Sequence, residues 1–174
     1  MISREIGQRG DSCYISPMSD EQTERALDKL TRLFDRPVCQ KGTGPLRKGV
    51  EIAITVDEEG PFTLKKERSG AVILPSAPSK PDIVVTVPQK GLDRLLALST
   101  EDVGDIGVEI LKLVTSQDKD TRMTLKVKVG MLTMVRNGYL GVLPLGGTTV
   151  MKFLASKGFT GLGKIKQGIE SLRS

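Results

Sequence analysis

A chain of 174 residues is long enough to bury a hydrophobic core of its own, so neither disulfides nor a metal ion are needed to hold it together. It contains no histidine, the commonest general base near neutral pH and the commonest metal ligand, which argues against serine triads, cysteine–histidine dyads and zinc sites. The 26 Lys and Arg against 21 Asp and Glu give a formal charge of +5, which favours anionic surfaces, whereas 3% aromatic residues leave little for stacking on nucleic-acid bases.

The chain begins with an arm and continues into a helix. Residues 1–18 show no periodicity and predict an N-terminal arm before a single domain, 19–174. Apolar residues at helical spacing then predict an amphipathic helix from about residue 20 to residue 35. Pro37 ends this helix, and a glycine-rich basic linker, 41–49, follows it. Such a loop suits a phosphate group, but no helix start comes after it.

The next segment predicts four strands separated by turn residues and by a proline-rich loop. In order, the strands cover residues 50–56, 62–68, 71–74 and 82–87. Every second residue of the first strand is aliphatic, which places its apolar side chains on one face of a sheet. The prolines at 75, 78 and 81 cannot donate to a ladder, so they hold the loop before the fourth strand extended.

Two helices are expected after the fourth strand. The first is short and rich in leucine, and Ser99 and Asp102 form a capping box that opens the second, over about 103–114. Gly104 and Gly107 lower the intrinsic stability of this second helix by about 1 kcal/mol each relative to alanine. Glycines at these positions allow close approach or movement.

From Arg122 the apolar residues alternate again, which predicts a long strand with a bend or bulge at Gly130. Asn137-Gly138 is a strong hairpin signal, because both residues tolerate the positive φ of a type I′ turn. The resulting hairpin, 131–145, is too apolar for one buried face to hold. Packing against the first helix, a homodimer contact or contact with a lipid surface would each cover it.

A helix from about residue 148 to Gly158 and a basic helix from Leu162 complete the chain. The final helix has an apolar stripe and basic residues, which suits either a membrane interface or an ordinary solvent-facing helix. The whole order predicts an α+β fold, with a mainly antiparallel sheet of five or six strands and helices covering one face.

Cysteine usage and hydropathy indicate the compartment. Cys13 and Cys39 lie far apart and form no Cys-x-x-Cys pair, so we expect two free thiols in a reducing environment. No segment has the apolar core of a signal peptide or approaches the roughly 18 residues of a membrane span. The sequence therefore predicts a cytoplasmic protein without enzymatic activity, catalytic residues, cofactor or metal site, and without a nucleic-acid partner.

Four apolar segments follow one another along the chain: VILP at 72–75, PDIVVTV at 81–87, TLKVKVG at 124–130 and VMKFL at 150–154. Their order resembles the sterol-carrier-protein type 2 domain over about residues 49–156. The resemblance implies a five-stranded sheet whose helices enclose an apolar tunnel for fatty acyl chains, sterols or other lipids, with no chemistry of its own.

Carried over to this chain, the resemblance implies a tunnel between sheet and helices that is lined by aliphatic side chains. These are Leu95, Leu96, Ile106, Ile110, Leu113, Leu125, Val127, Met151 and Leu154. The function it implies is the binding or carriage of a lipid, with a fatty acyl ligand and a transient membrane surface as partners.

The chain departs from the family at its first helix, at the inserted hairpin 131–145 and at its basic last helix, and each of these additions would be able to plug a tunnel. Aliphatic residues at such spacings also form the core of most proteins. The alternative hypothesis is therefore a protein-interaction or self-association module with a filled core and no ligand, dimerising through 131–145.

Overall fold

A computed structural model describes residues 20–159 and 162–171. The elements are α1 (Asp20–Asp35), α2 (Pro37–Gly42), β1 (Glu51–Val56), β2 (Glu59–Lys66), β3 (Ala71–Leu74), β4 (Ile83–Val87), α3 (Gln89–Ala97), α4 (Val103–Val114), β5 (Thr124–Val127), α5 (Met131–Arg136), α6 (Tyr139–Leu145), α7 (Gly147–Ser156) and α8 (Leu162–Ser171). The predicted arm, 1–18, lies outside the described residues. Within them, no helix combines the length and apolar character needed to cross a membrane.

The five strands form one sheet in the order β3-β2-β1-β4-β5. The predicted meander β1-β2-β3 is confirmed, and β4 also pairs antiparallel with β5. The sheet is mainly antiparallel, as predicted, but it is mixed rather than wholly antiparallel, because β1 and β4 at its centre are parallel. The loop before β4 causes this, because it returns the chain to the end of the sheet where β1 begins, with the Asp82 amide donating to the Glu51 carbonyl at 2.9 Å.

The strand register places the apolar side chains on one face. Ile54 lies opposite Phe62 on one side and Val85 on the other, and Val85 lies opposite Leu125. Cross-strand partners share a face, so these four side chains form a continuous apolar row. Helical residues pack on the same face, and the fold is α+β as predicted.

Most of the core is a single cluster between the sheet and α1 to α4, called here the main cluster. Its largest fully buried side chains are Phe62, Leu30, Leu92, Leu113 and Val56. A second cluster joins Ile83 and Val127 to Met134 of α5, and a third joins Val150 to Leu154 on α7.

The hairpin predicted at 131–145 is wrong, since the segment forms the two short helices α5 and α6. Only β5 remains of the long strand. Gly138 has φ 86°, as a hairpin turn would require, but here the residue separates two helices. A glycine with positive φ suits the end of a helix as well as a type I′ turn, so the local signal did not distinguish them.

Two boundary predictions also change. Asp102, rather than Ser99, caps α4, with its Oδ1 accepting from the Gly104 amide at 2.7 Å. Pro37 does end α1, but it also opens α2, because a proline in the first turn lacks only an amide that would be unpaired there.

Candidate functional site

The nine predicted lining residues fall into different parts of the core. Leu95, Ile106 and Leu113 belong to the main cluster, with Leu113 completely buried, and Leu96 and Ile110 lie half-buried against it. The structure brings these five residues together in or against one packed cluster.

The other four predicted residues lie elsewhere. Val127 belongs to the second cluster with Leu125 against it, and Leu154 belongs to the third, against which Val108 of α4 packs. Met151 is 42% exposed. The nine residues therefore do not lie in one cluster.

Half-buried aliphatic side chains lie where the first two clusters meet. Ile52 and Val85 pack against both the main and the second cluster, and Leu125 packs against the second, directly opposite Val85 in the sheet. We call these three residues the apolar strip. An apolar ligand in contact with them would gain about 25 cal/mol for each Å² removed from water.

α7 covers the side of α4 that carries the two glycines predicted to allow close approach. A Cβ at Gly104 would lie 2.6 Å from the Gly146 carbonyl oxygen, and one at Gly107 would lie 3.0 Å from a Val150 methyl group. The glycines therefore permit the third cluster to form against α4.

A polar network anchors the α5–α6 turn to the start of β4. The buried Asp82 carboxylate accepts from the Asn137 side-chain amide at 2.6 Å and from the Tyr139 hydroxyl at 3.2 Å. Burial raises the pKa of Tyr139 well above its ordinary value, and the negative charge of Asp82 and the hydrogen bond to its carboxylate raise it further. Tyr139 is therefore a neutral donor, and the network is a structural clamp. Sequence reasoning missed it, because no motif links Asp82 to residues over fifty positions away.

A second polar contact joins the α1–α2 junction to the end of α3 and the loop that follows it. The Arg36 guanidinium donates to the carbonyls of Leu95, Leu98 and Thr100 at 3.2, 2.6 and 3.1 Å. A cavity of about 610 Å³ lies beside it, lined also by Lys41. Because its guanidinium is committed to three carbonyls, Arg36 is held as a structural residue.

Cys39 is a free thiol in the main cluster. Burial raises the pKa of its thiol, although the charge of Arg36 acts in the opposite direction. A protonated thiol is a poor nucleophile, so this residue serves packing. Cys13, the other predicted free thiol, lies outside the described residues.

A second cavity, of about 520 Å³, lies between the linker before β1 and the end of α5. We call it the basic pocket; its lining includes the cations Arg47, Lys48, Lys80 and Arg136 and the carboxylates Glu51 and Asp82. The linker 41–49, noted in the sequence as suited to phosphate, supplies two of these cations. Neither this cavity nor the one beside Arg36 is lined by any of the nine predicted residues.

No protein-family model matches the chain, and no curated protein matches it. Among solved structures, the chain is similar to one described as "UbiJ-SCP2 Ubiquinone synthesis protein", with 13% sequence identity and a TM-score of 0.41. The match covers 76% of this chain and 96% of that one. These values do not place the chain in a family.

Proposed function

We propose that the chain is a non-enzymatic protein that binds a lipid or other apolar ligand, as the sterol-carrier-protein type 2 domain that its sequence resembles does. The observation that supports this most directly is the apolar strip, where aliphatic side chains of the sheet stay half-buried between two packed clusters. The ligand would lie along Val85 and Leu125 and extend toward the half-buried Ile110 of α4.

The remaining predicted lining residues contribute differently in this proposal. Leu113 is 0% exposed, so it reaches a ligand only if the covering helices move apart. A ligand that buries about 200 Å² of apolar surface would gain about 5 kcal/mol, from which the entropy of association is subtracted. Because association costs about 4 kcal/mol or more, useful affinity requires the ligand to bury more apolar surface than this, beyond the strip itself.

The buried carboxylates are bound to other residues of the protein, which supports a binding role over a catalytic one. Asp82 is held by Asn137 and Tyr139, and the buried Glu109 pairs with Arg94 and, at 3.4 Å, with Lys112. A general acid or base needs a carboxyl group that can meet a substrate proton, and these two are occupied by protein partners.

Mass spectrometry of the native, delipidated protein tests this proposal. We expect one oleate molecule to bind per chain, and we expect Leu125→Trp and Ile110→Trp to weaken that binding at least about tenfold, because an indole fills the space that an acyl chain would use. Val72→Trp is the matched control, since Val72 lies on the opposite face of the sheet and is 37% exposed. Equal oleate binding by all three variants would contradict the proposed site.

A self-association module is the second candidate, and exposed side chains on α5 favour it. Leu132 is 83% exposed and Val135 is 50% exposed. For such a module, the delipidated protein would bind no oleate and would form a concentration-dependent dimer. Light scattering on the same samples separates the two candidates.

A further inference from the structure

We propose that α5 and the basic pocket beside it form a docking surface for a bilayer that contains anionic phospholipids. The surface is separate from the apolar strip, and its occupation does not require a ligand there. Two features that are far apart in the sequence meet at this surface: the basic linker 41–49 and the apolar segment 131–145.

The exposed face of α5 is apolar and basic at once. Leu132, Val135 and Arg136 occupy positions i, i+3 and i+4, which share one face of a helix. Leu132 and Val135 are the exposed aliphatic residues, and Arg136 lines the basic pocket. Met134 is buried in the second cluster and so holds this face outward.

The cations of the pocket are available to an external anion. Within residues 20–159 and 162–171, Arg47, Lys48, Lys80 and Arg136 form no ion pair with a carboxylate. Four cations in one cavity repel one another and attract an anion.

The two carboxylates of the pocket already have partners. Asp82 accepts from Asn137 and Tyr139, while Glu51 lies 4.0 Å from the Lys65 ammonium and 3.5 Å from the Ser79 hydroxyl. Four cations against two carboxylates leave the cavity positive, as a phosphate-bearing headgroup requires.

The later part of the sequence is also basic. Between Asp120 and Glu170 the chain has no acidic residue. The same interval carries the basic residues Arg122, Lys126, Lys128, Arg136, Lys152, Lys157, Lys164 and Lys166. The basic pocket and the protruding Leu132 and Val135 together suit the boundary between headgroups and acyl chains, where both kinds of contact are made together.

Charge also argues for a bilayer over a second copy of the chain. A two-fold symmetric contact through α5 would place the same patch on both sides of the interface. The four cations of the pocket would then lie near the same four cations of the second copy, and like charges across an interface oppose association. An anionic surface removes that repulsion.

Flotation of the full chain with vesicles tests the proposal. We expect binding to vesicles of phosphatidylcholine with about one third phosphatidylglycerol, no binding to phosphatidylcholine alone, and progressive loss of binding as salt rises. Each neutralised cation should lower the partition constant about fivefold, so the triple variant Lys48→Gln, Lys80→Gln, Arg136→Gln should lose about a hundredfold. Leu132→Glu should also reduce binding at least about tenfold, because it removes an inserted side chain and adds a negative charge.

Matched variants separate docking from general charge. Lys119→Gln removes an exposed cation outside the pocket and should change the partition constant less than Lys80→Gln does. Leu132 is mostly exposed, so Leu132→Glu should keep the circular dichroism spectrum and melting temperature. If Leu132→Glu changes the spectrum or the melting temperature, the salt dependence and the comparison of Lys80→Gln with Lys119→Gln still test the proposal.

Three results would overturn the proposal: equal binding to neutral and anionic vesicles, equal losses for Lys80→Gln and Lys119→Gln, or a dimer that Leu132→Glu disrupts without any vesicle binding. The last would assign the face to a second copy of the chain. The two vesicle results do not bear on oleate binding in solution, and a dimer that still binds oleate leaves the proposed function in place, so this proposal and the proposed function can fail independently.

Discussion

At the β3 edge of the sheet, the side chain of Gln40 forms the hydrogen bonds that a residue of a neighbouring strand would form. Its Oε1 accepts from the Ala71 amide at 2.8 Å, while its Nε2 donates to the carbonyls of Ala71 and Phe34 at 2.8 and 2.7 Å. One side chain thus satisfies both backbone groups of a β3 residue and joins that strand to the end of α1. An edge strand covered in this way is less exposed to pairing with other chains.

We expect Gln40→Ala to lower the free energy of unfolding by about 2 to 3 kcal/mol. Each of the three hydrogen bonds contributes about 1 kcal/mol, and the substitution leaves their backbone groups without this partner. Urea denaturation followed by circular dichroism measures the change. Gln117→Ala, at an exposed loop position, is the matched control and should fall within about 0.5 kcal/mol of the parent. A cost for Gln40→Ala no larger than that of the control would show that the contact does not stabilise the fold.

The sequence carried no signal for Gln40, Arg36 or Asp82. Each binds groups distant in the chain, and several of those groups are backbone carbonyls, which any residue type provides. The polar contacts depend on the three-dimensional path of the chain.

Among the elements, the strands and most helices were predictable because their apolar period is unambiguous. The alternation before Val56 fits a strand alone, and the spacing of Ala26, Leu30 and Leu33 fits a helix alone. Residues 131–136 satisfy both periods, because Met131, Met134 and Val135 also lie at helical spacing. Their conformation is decided by the clamp at Asp82 and by packing against the sheet, neither of which a local window contains.

The contact between α4 and α7 gives a prediction at the same scale. We expect Gly104→Ala to lower the free energy of unfolding by about 1 to 3 kcal/mol, because its Cβ would meet the Gly146 carbonyl, a backbone atom that cannot rotate away. Gly107→Ala meets only a Val150 methyl group, so its helix-propensity gain of about 1 kcal/mol should offset the tighter packing. Thermal unfolding of the two variants measures the difference, and equal melting temperatures would contradict the close contact.

Across the whole molecule, the helices cover the sheet unevenly. The main cluster joins four helices to the central strands, whereas α5 and α6 are held over the β4–β5 side by the second cluster and the Asp82 clamp. Each described residue of α6 is at least partly exposed, and Pro144 interrupts its hydrogen bonding. Segments with few buried contacts open locally at lower free energy than the rest of a domain. Opening of α5 and α6 would uncover the apolar strip without unfolding the main cluster.

Hydrogen exchange on the native protein tests this division. We expect amides of β1, which is hydrogen-bonded to a strand on both sides, to exchange only by global unfolding, and amides of α5 and α6 to exchange through local opening. Met134→Ala should speed exchange in α5 and α6 by removing the side chain that anchors them, while leaving β2 and β3 protected. Added oleate should slow exchange in the same helices if the strip is its site, because a bound guest stabilises the closed form. Protection of α5 equal to that of β1, in the presence or absence of oleate, would mean that these helices do not open separately and that a ligand must reach the strip by another path.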